Sequence, residues 1–211
     1  MATIVEGRSL VRETEPVGLM TEGAAGIAVI VLAIIALAGI SSAPLASIAT
    51  IIIGVGLMVQ GFNTAAESAR LVPAATPEFG GEVMVDFLAG GSGIVLGILA
   101  LIGIHAAGLL EAALIVFGSS LLLSGAMAMR GPIAASLPIE GAIASYRGSA
   151  SAGGMEVLVG LAAIVLGILA LVLANAAVLL LVGFIAVGAA LLMVSATFGS
   201  AMLRLFTGTT A

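Results

Sequence analysis

The chain has 211 residues, of which 62% are hydrophobic and 8% are charged, and its formal net charge is −5. A soluble domain is about half apolar and a quarter charged, so this composition excludes an ordinary soluble protein and indicates an integral membrane protein. The six basic residues are all arginine and are scattered, which argues against a nucleic-acid partner. The absence of cysteine excludes disulfides, thiolate nucleophiles and cysteine-ligated metals.

One octapeptide recurs along the chain. Ile94–Leu101 and Ile164–Leu171 both read IVLGILAL, and Ile30–Leu37 reads IVLAIIAL. When the three copies are aligned without gaps, small residues and acids outside them also coincide: Gly26, Gly90 and Gly160; Gly54, Gly118 and Gly188; Gly61, Gly125 and Ser195; and Glu22, Asp86 and Glu156. Each unit is an apolar stretch, a short break and a second apolar stretch, which predicts a helical hairpin used three times.

Long tracts free of charge indicate the number of membrane spans. Residues 23–66 and 157–203 contain no Asp, Glu, Lys or Arg, and residues 87–129 contain only Glu111. A spanning helix needs about 20 apolar residues, so each tract has room for two. The predicted fold is an all-α integral membrane protein with six transmembrane helices, arranged as three repeated helical hairpins.

In chain order, residues 1–20 form a polar lead whose acids argue against a cleavable signal peptide. The hairpins are predicted at 21–63, 86–129 and 156–203, with linkers at 64–85 and 130–155 and a tail at 204–211. The spans are expected at Glu22–Ala38, Leu45–Asn63, Asp86–Ile104, from the turn His105–Gly108 to Met129, Glu156–Leu173 and Ala176–Phe198, with the first turn at Gly39–Pro44 and the third at Ala174 and Asn175. Short turns make the two helices of a hairpin antiparallel neighbours.

The arginines predict the orientation in the membrane. All six lie in the termini or the linkers, and none lies in a hairpin turn: Arg8, Arg12, Arg70, Arg130, Arg147 and Arg204. By the positive-inside rule, both termini and both linkers then face the cytoplasm. The three units share one orientation and can surround a pseudo-threefold axis, either as a compact bundle or side by side.

Glycines at aligned positions are candidates for helix packing, because close backbone approach at small residues holds helices together in lipid. They are Gly26, Gly54, Gly61, Gly90, Gly97, Gly118, Gly125, Gly160, Gly167 and Gly188. The alternative is that these glycines line a narrow pore or bind a pigment between helices.

Charges recur at the ends of the units. The acids Glu22, Asp86 and Glu156 begin the odd-numbered helices, and Arg70, Arg130 and Arg204 follow the even-numbered ones. Each unit is expected to close with an acid and arginine pair at the cytoplasmic interface, where both charges complement helix ends. The alternative is a ring of acids at a cytoplasmic mouth that attracts cations.

Glu111 and His105 form the candidate ionisable site, because an acid near a span is a default candidate for proton or metal binding. One His and one Glu make a poor metal site. Glu111 also lies one to two turns from the outer turn, so we expect an ionised, hydrated carboxylate at the outer interface. No metal or cofactor is expected.

The repeated form GxxxIVLGILAL, followed by a short turn and a second span that ends in a small residue, resembles the HdeD-like membrane proteins, which are named for an association with acid resistance in bacteria. The resemblance covers Glu22 to about Met202. It implies six spans, no catalytic residues and a location in a prokaryotic inner membrane. We therefore expect a non-enzymatic protein that acts by packing in the lipid bilayer, as a homo-oligomer or as an accessory subunit of a membrane complex.

Two other functions are weighed against packing. A channel or transporter for a small neutral solute along the pseudo-threefold axis is the alternative, since the spans lack the paired charges of ion-coupled transport. An enzyme is the least favoured, because the sequence shows no nucleophile and base combination, metal cluster or phosphate loop.

Overall fold

The computed structural model describes residues 21–71, 80–130, 140–173 and 177–207, and these ranges consist of α-helices and short turns. The helices are α1 (Thr21–Leu37), α2 (Ser42–Leu71), α3 (Gly80–Leu101), α4 (Ala106–Arg130), α5 (Glu140–Val172) and α6 (Ala177–Thr207). The all-α prediction is confirmed for the described part of the chain.

Five of the six helices are long and apolar enough to cross a membrane. The apolar segments of α2 to α6 have 19 to 24 residues. Helix α1 is equally apolar in character but has only 17 residues, a length of about 25 Å. Spanning helices range from about 17 to 25 residues, so α1 lies at the lower end of that range. The composition and length of the described helices thus agree with a multi-pass membrane protein.

The helices extend beyond the predicted spans at the linkers. Helix α2 ends at Leu71 instead of Asn63, α3 begins at Gly80 instead of Asp86, α5 begins at Glu140 instead of Glu156, and α6 ends at Thr207 instead of Phe198. The prediction followed the apolar tracts, whereas a helix continues through polar residues of fair helix propensity until the backbone is interrupted. Pro73 follows α2 and Pro138 precedes α5. Proline disfavours helical backbone at the residue before it and is excluded from a helix interior. The predicted linkers are therefore partly helical.

Glycines in the left-handed region end α1 and α3. Gly39 has φ 88° and Gly103 has φ 86°, and their amides donate to the carbonyl oxygens of Ala36 and Ala100 at 3.1 and 3.0 Å. This is the usual helix termination by a glycine just past the last turn. The second turn consequently lies at residues 102–105, before the predicted His105–Gly108, because hydrophobicity continues through the turn and hid the stop signal.

The first turn lies within the described residues, whereas the predicted third turn does not. Helix α2 begins at Ser42, inside the predicted turn Gly39–Pro44, because proline is compatible with the first turn of a helix. The predicted third turn, Ala174 and Asn175, lies outside the described residues.

The even-numbered helices form the centre of the bundle. Helices α2, α4 and α6 contact one another, α3 packs between α2 and α4, and α5 packs between α4 and α6. Helix α1 lies against α6, where Gly26 meets the backbone of Gly188. The described helices therefore form a closed bundle. Among α2 to α6, the most extensive contacts are those of α2 with α3 and of α4 with α5, which are made across the linkers.

Large side chains fill the centre of the bundle. The side chains of Phe117, Phe184, Ile53, Leu57, Leu121 and Leu191 have exposed fractions of 0% to 1%. They come from all three even-numbered helices and belong to one hydrophobic cluster. The helices are thus held around a dense apolar core.

The octapeptide has one inward and one outward face in each copy. Its valines and second isoleucines point out, with exposed fractions of 47% to 56%: Val31, Val95, Val165, Ile34, Ile98 and Ile168. Its small residues point in, and the alanines among them are 0% to 4% exposed: Ala33, Ala36, Ala100 and Ala170. A spacing of three and four residues keeps each set on one face of a helix.

Candidate functional site

Buried polar side chains cross the bundle at the end where α2 leads to α3 and α4 leads to α5, which we call the linker end. These side chains, named here the acid layer, belong to Glu22, Asp86, Glu156, Gln60, Ser120 and Ser124, together with the partly buried Asn63. The three acids have exposed fractions of 2%, 1% and 6%. Each lies four residues before an inward-facing glycine, so it shares the inward face of its helix.

Asp86 has the most completely described environment in the acid layer. The hydroxyls of Ser120 and Ser124 both donate to its Oδ1, at 2.8 and 2.9 Å. The two serines are one helical turn apart on α4 and therefore face the same side. A Cβ added to Gly61 of α2 would lie 3.3 Å from the Asp86 Cβ, so the backbone of α2 closes the other side.

The two carboxylate oxygens of Asp86 differ in their partners. Oδ1 accepts two hydrogen bonds, whereas Oδ2 is buried and has no hydrogen-bond partner among the described residues. Ser124 also lies 2.9 Å from the carbonyl oxygen of Ser120, so its single proton serves two acceptors. Buried polar atoms are nearly always paired, which makes Oδ2 the atom that a ligand would satisfy.

Glu22 joins the two helices of the first hairpin within the acid layer. Asn63 Nδ2 donates a hydrogen bond to Glu22 Oε1 at 3.1 Å, which joins α1 to α2. The Glu22 carboxyl is also close enough to Asp86 to interact with it electrostatically. Two like-charged groups in one buried layer repel each other unless a cation is bound to one of them.

Glu156 occupies the aligned position on α5, where its Cβ lies 2.8 Å from a Cβ added to Gly125 of α4. The three acids, which were expected at the cytoplasmic interface, are buried on the inward faces of their helices. The described hydrogen-bond partners of Glu22 and Asp86 are neutral. The side chains of Arg70, Arg130 and Arg204 lie outside the described part of the chain, so the acid and arginine pairs stay a prediction.

Glu111 and His105 lie at the opposite end of the bundle. His105 is exposed in the second turn, with φ 44°, and Glu111 is partly exposed on α4. Helix side chains tilt towards the amino end of their helix, which directs the Glu111 carboxylate towards the turn. No described hydrogen bond or ion pair joins Glu111 to His105, so the structure does not bring the two candidates into one site.

Each of the ten candidate glycines lies against a neighbouring helix. The contacts are backbone to backbone in four pairs: Gly26 with Gly188, Gly54 with Gly90, Gly118 with Gly160 and Gly125 with Gly153. Of the remaining candidates, Gly97 meets Ile51, Gly167 meets Ile115 and Gly61 meets Asp86. In these four pairs an added Cβ would lie 2.5 to 3.0 Å from the facing carbonyl oxygen. Real Cβ atoms do not approach a carbonyl oxygen this closely, so these helices can lie at their observed distances only because glycine has no side chain.

The partners of the buried acids were not identified from the sequence. Asn63, Ser120 and Ser124 are short polar residues within apolar spans, and such residues often only bond to their own helix. A signal was nevertheless present, because Gln60 and Ser124 occupy aligned positions on the inward face of α2 and α4. Buried polar residues at matching depth would have indicated a shared layer.

Among the described residues, no group of three or more His, Cys, Asp or Glu side chains is arranged to hold a metal ion. No protein-family model, curated protein or solved structure matches this chain.

Proposed function

We propose that this chain is a non-catalytic, HdeD-like membrane protein, built from three repeated hairpins, that acts by helix packing in the bilayer. It works as a homo-oligomer or as an accessory subunit of a membrane complex. The observation that carries this proposal is the contrast between a filled centre and an apolar exterior. Phe117 and Phe184 at the centre are 0% exposed, while Leu88 and Leu158 on the outer helices are 70% and 64% exposed.

Aligned positions in the three units make equivalent contacts, which supports the repeat. The glycine that precedes each octapeptide meets the glycine of an even-numbered helix from a neighbouring unit, as in the pairs Gly54 with Gly90 and Gly118 with Gly160. Gly26 and Gly188 make the same contact between the first and third units. Three equivalent contacts around one centre are what a pseudo-threefold arrangement of hairpins requires.

The outer faces of α1, α3 and α5 supply the surface for lateral packing. Their exposed side chains are branched and aliphatic, such as Ile34, Ile98 and Ile168. Such side chains pack against lipid tails and against other spanning helices without a polar partner. The channel alternative is less well supported, because aromatic and aliphatic side chains fill the path between α2, α4 and α6.

The orientation proposed for this protein follows from the arginines. All six belong to the termini and the linkers, so the linker end with the acid layer faces the cytoplasm and the hairpin turns face outwards. The proposed location is a prokaryotic inner membrane.

The mass and composition of the full-length protein, extracted in mild detergent, test the proposed function. We expect a species larger than the monomer of 20.6 kDa after correction for bound detergent. A larger species made of this chain alone supports the homo-oligomer, and stoichiometric foreign subunits support the accessory role. A monodisperse monomer that conducts a neutral solute in liposomes would contradict the packing function and favour the channel.

A further inference from the structure

One buried carboxylate oxygen in the acid layer has no described partner. Asp86 is 1% exposed and its Oδ1 is satisfied by Ser120 and Ser124, but Oδ2 is not. An ionised carboxylate with an unsatisfied oxygen is costly in a protein interior and more so within a membrane. The local geometry thus indicates that something satisfies Oδ2 in the bilayer.

The described groups around Asp86 offer no positive charge to do this. Helix α1 contributes the Glu22 carboxyl, α2 contributes Gly61, which has no side chain, and α4 contributes the two serine hydroxyls. Glu156 is the remaining acid of the layer, with its Cβ against Gly125 of α4. Among the described residues these groups are all acidic or neutral, a set that favours a cation.

We propose that Asp86, with Ser120 and Ser124, binds a small monovalent cation, either a proton or Na⁺, at Oδ2. A proton converts the side chain to a neutral carboxylic acid and removes its repulsion with Glu22. A sodium ion leaves the carboxylate ionised and takes Oδ2 and the lone pairs of the hydroxyl oxygens as ligands, which suit a hard cation. This proposal goes beyond the packing role and does not depend on it.

The site exists only when α3 and α4 are packed together, since Asp86 belongs to α3 and both serines belong to α4. A ligand that binds the folded protein alone stabilises it by mass action. We therefore expect the bound cation to raise the thermal stability of the bundle.

The test compares melting temperatures of the full-length protein and of Asp86→Asn in detergent. One arm replaces choline chloride by NaCl at constant ionic strength near pH 8. The other lowers the pH from about 8 to about 5 in choline chloride. We expect the wild-type melting temperature to rise by on the order of 5 °C in one arm, and Asp86→Asn to show no such rise. A rise with Na⁺ identifies sodium, and a rise only with acid identifies the proton.

Two further variants serve as controls for this experiment. Glu111→Gln removes one acid at the opposite end of the bundle, so it should keep the wild-type response. Ser120→Ala with Ser124→Ala retains the carboxylate but should shift the response to higher cation concentration, which keeps the proposal testable if Asp86→Asn does not fold. The proposal would be overturned if the melting temperature of Asp86→Asn, or of the double serine variant, responded to Na⁺ and acid as the wild type does. It would also be overturned if Glu111→Gln lost the response as Asp86→Asn does. Either result would mean that the response comes from the overall charge of the protein, and that a water molecule satisfies Oδ2.

Discussion

Gly90→Ala is expected to destabilise the bundle strongly, although it adds a single methyl group. A Cβ at this position would lie 2.5 Å from the carbonyl oxygen of Gly54 and 2.7 Å from a side-chain carbon of Met58. The carbonyl belongs to helical backbone, so the clash is relieved only if α2 and α3 move apart. We expect a loss of about 1–3 kcal/mol of unfolding free energy, measured by denaturation in mild detergent.

The neighbouring glycine provides a matched control. A Cβ added at Gly91 would have no atom within 4 Å, and Gly91 lies in the same helix. Alanine is favoured over glycine in a helix by about 1 kcal/mol, so Gly91→Ala should leave stability unchanged or raise it. Similar losses in both variants would show that backbone flexibility, and not the contact of α3 with α2, explains the glycines.

Gly93→Ala is expected to have a comparable effect by a different mechanism. A Cβ at Gly93 would overlap Cε1 and Cζ of the Phe117 ring, which is 0% exposed at the centre. The ring has no space to move into, so we expect a loss of about 1–3 kcal/mol. Phe117→Val alone should cost about 2–4 kcal/mol, because it leaves a cavity in the core.

Combining the two substitutions tests whether the residues fit each other by size. The aligned positions on α5 and α6 hold Ala163 and Val187, both 0% exposed, so smaller residues already occupy the equivalent core positions once. Gly93→Ala with Phe117→Val should therefore be more stable than the sum of the single losses predicts, by about 0.5–3 kcal/mol in a double-mutant cycle. Additive losses would mean that Gly93 and Phe117 do not share one packing volume.

The sequence predicted the helices well because the signal for a membrane helix is redundant. Forty-residue tracts without charge leave little choice but two helices each, and the spacing of the octapeptide marks its inward face. The ends of the helices were predicted poorly. The length of an apolar tract reflects the thickness of the membrane core, whereas the hydrogen-bonded helix continues into polar residues beyond it. At α3 the error arose because Ile102 and Ile104 conceal the stop at Gly103.

The acid layer was less predictable than the helices. The alignment of Glu22, Asp86 and Glu156 was visible, but position along a helix does not determine whether an end carboxyl turns towards water or towards the core. Burial follows from the rotation of each helix about its axis, which the glycine contacts fix. Partners such as Ser120, on another helix, become evident only when the helices are assembled.

The closure of the bundle by α1 and α6 is tested most directly by a disulfide. A Cβ added to Gly23 lies 3.6 Å from the Cβ of Ser195, which is within the range of about 3.5–4.5 Å for a disulfide. The chain has no cysteine, so Gly23→Cys with Ser195→Cys introduces the only two thiols. Ala25→Cys with Gly56→Cys, also 3.6 Å apart, is the positive control within the first hairpin.

Gly23→Cys with Gly108→Cys is the negative control. Gly108 lies at the start of α4, next to the second turn, whereas Gly23 lies at the linker end of the bundle. After mild oxidation in membranes, we expect the Gly23 and Ser195 pair to form an intramolecular disulfide as completely as the positive control, seen as a faster monomer band on non-reducing gels. Free thiols or only intermolecular bonds at this pair, with the positive control cross-linked, would show that α1 does not pack on α6 and that the bundle is open.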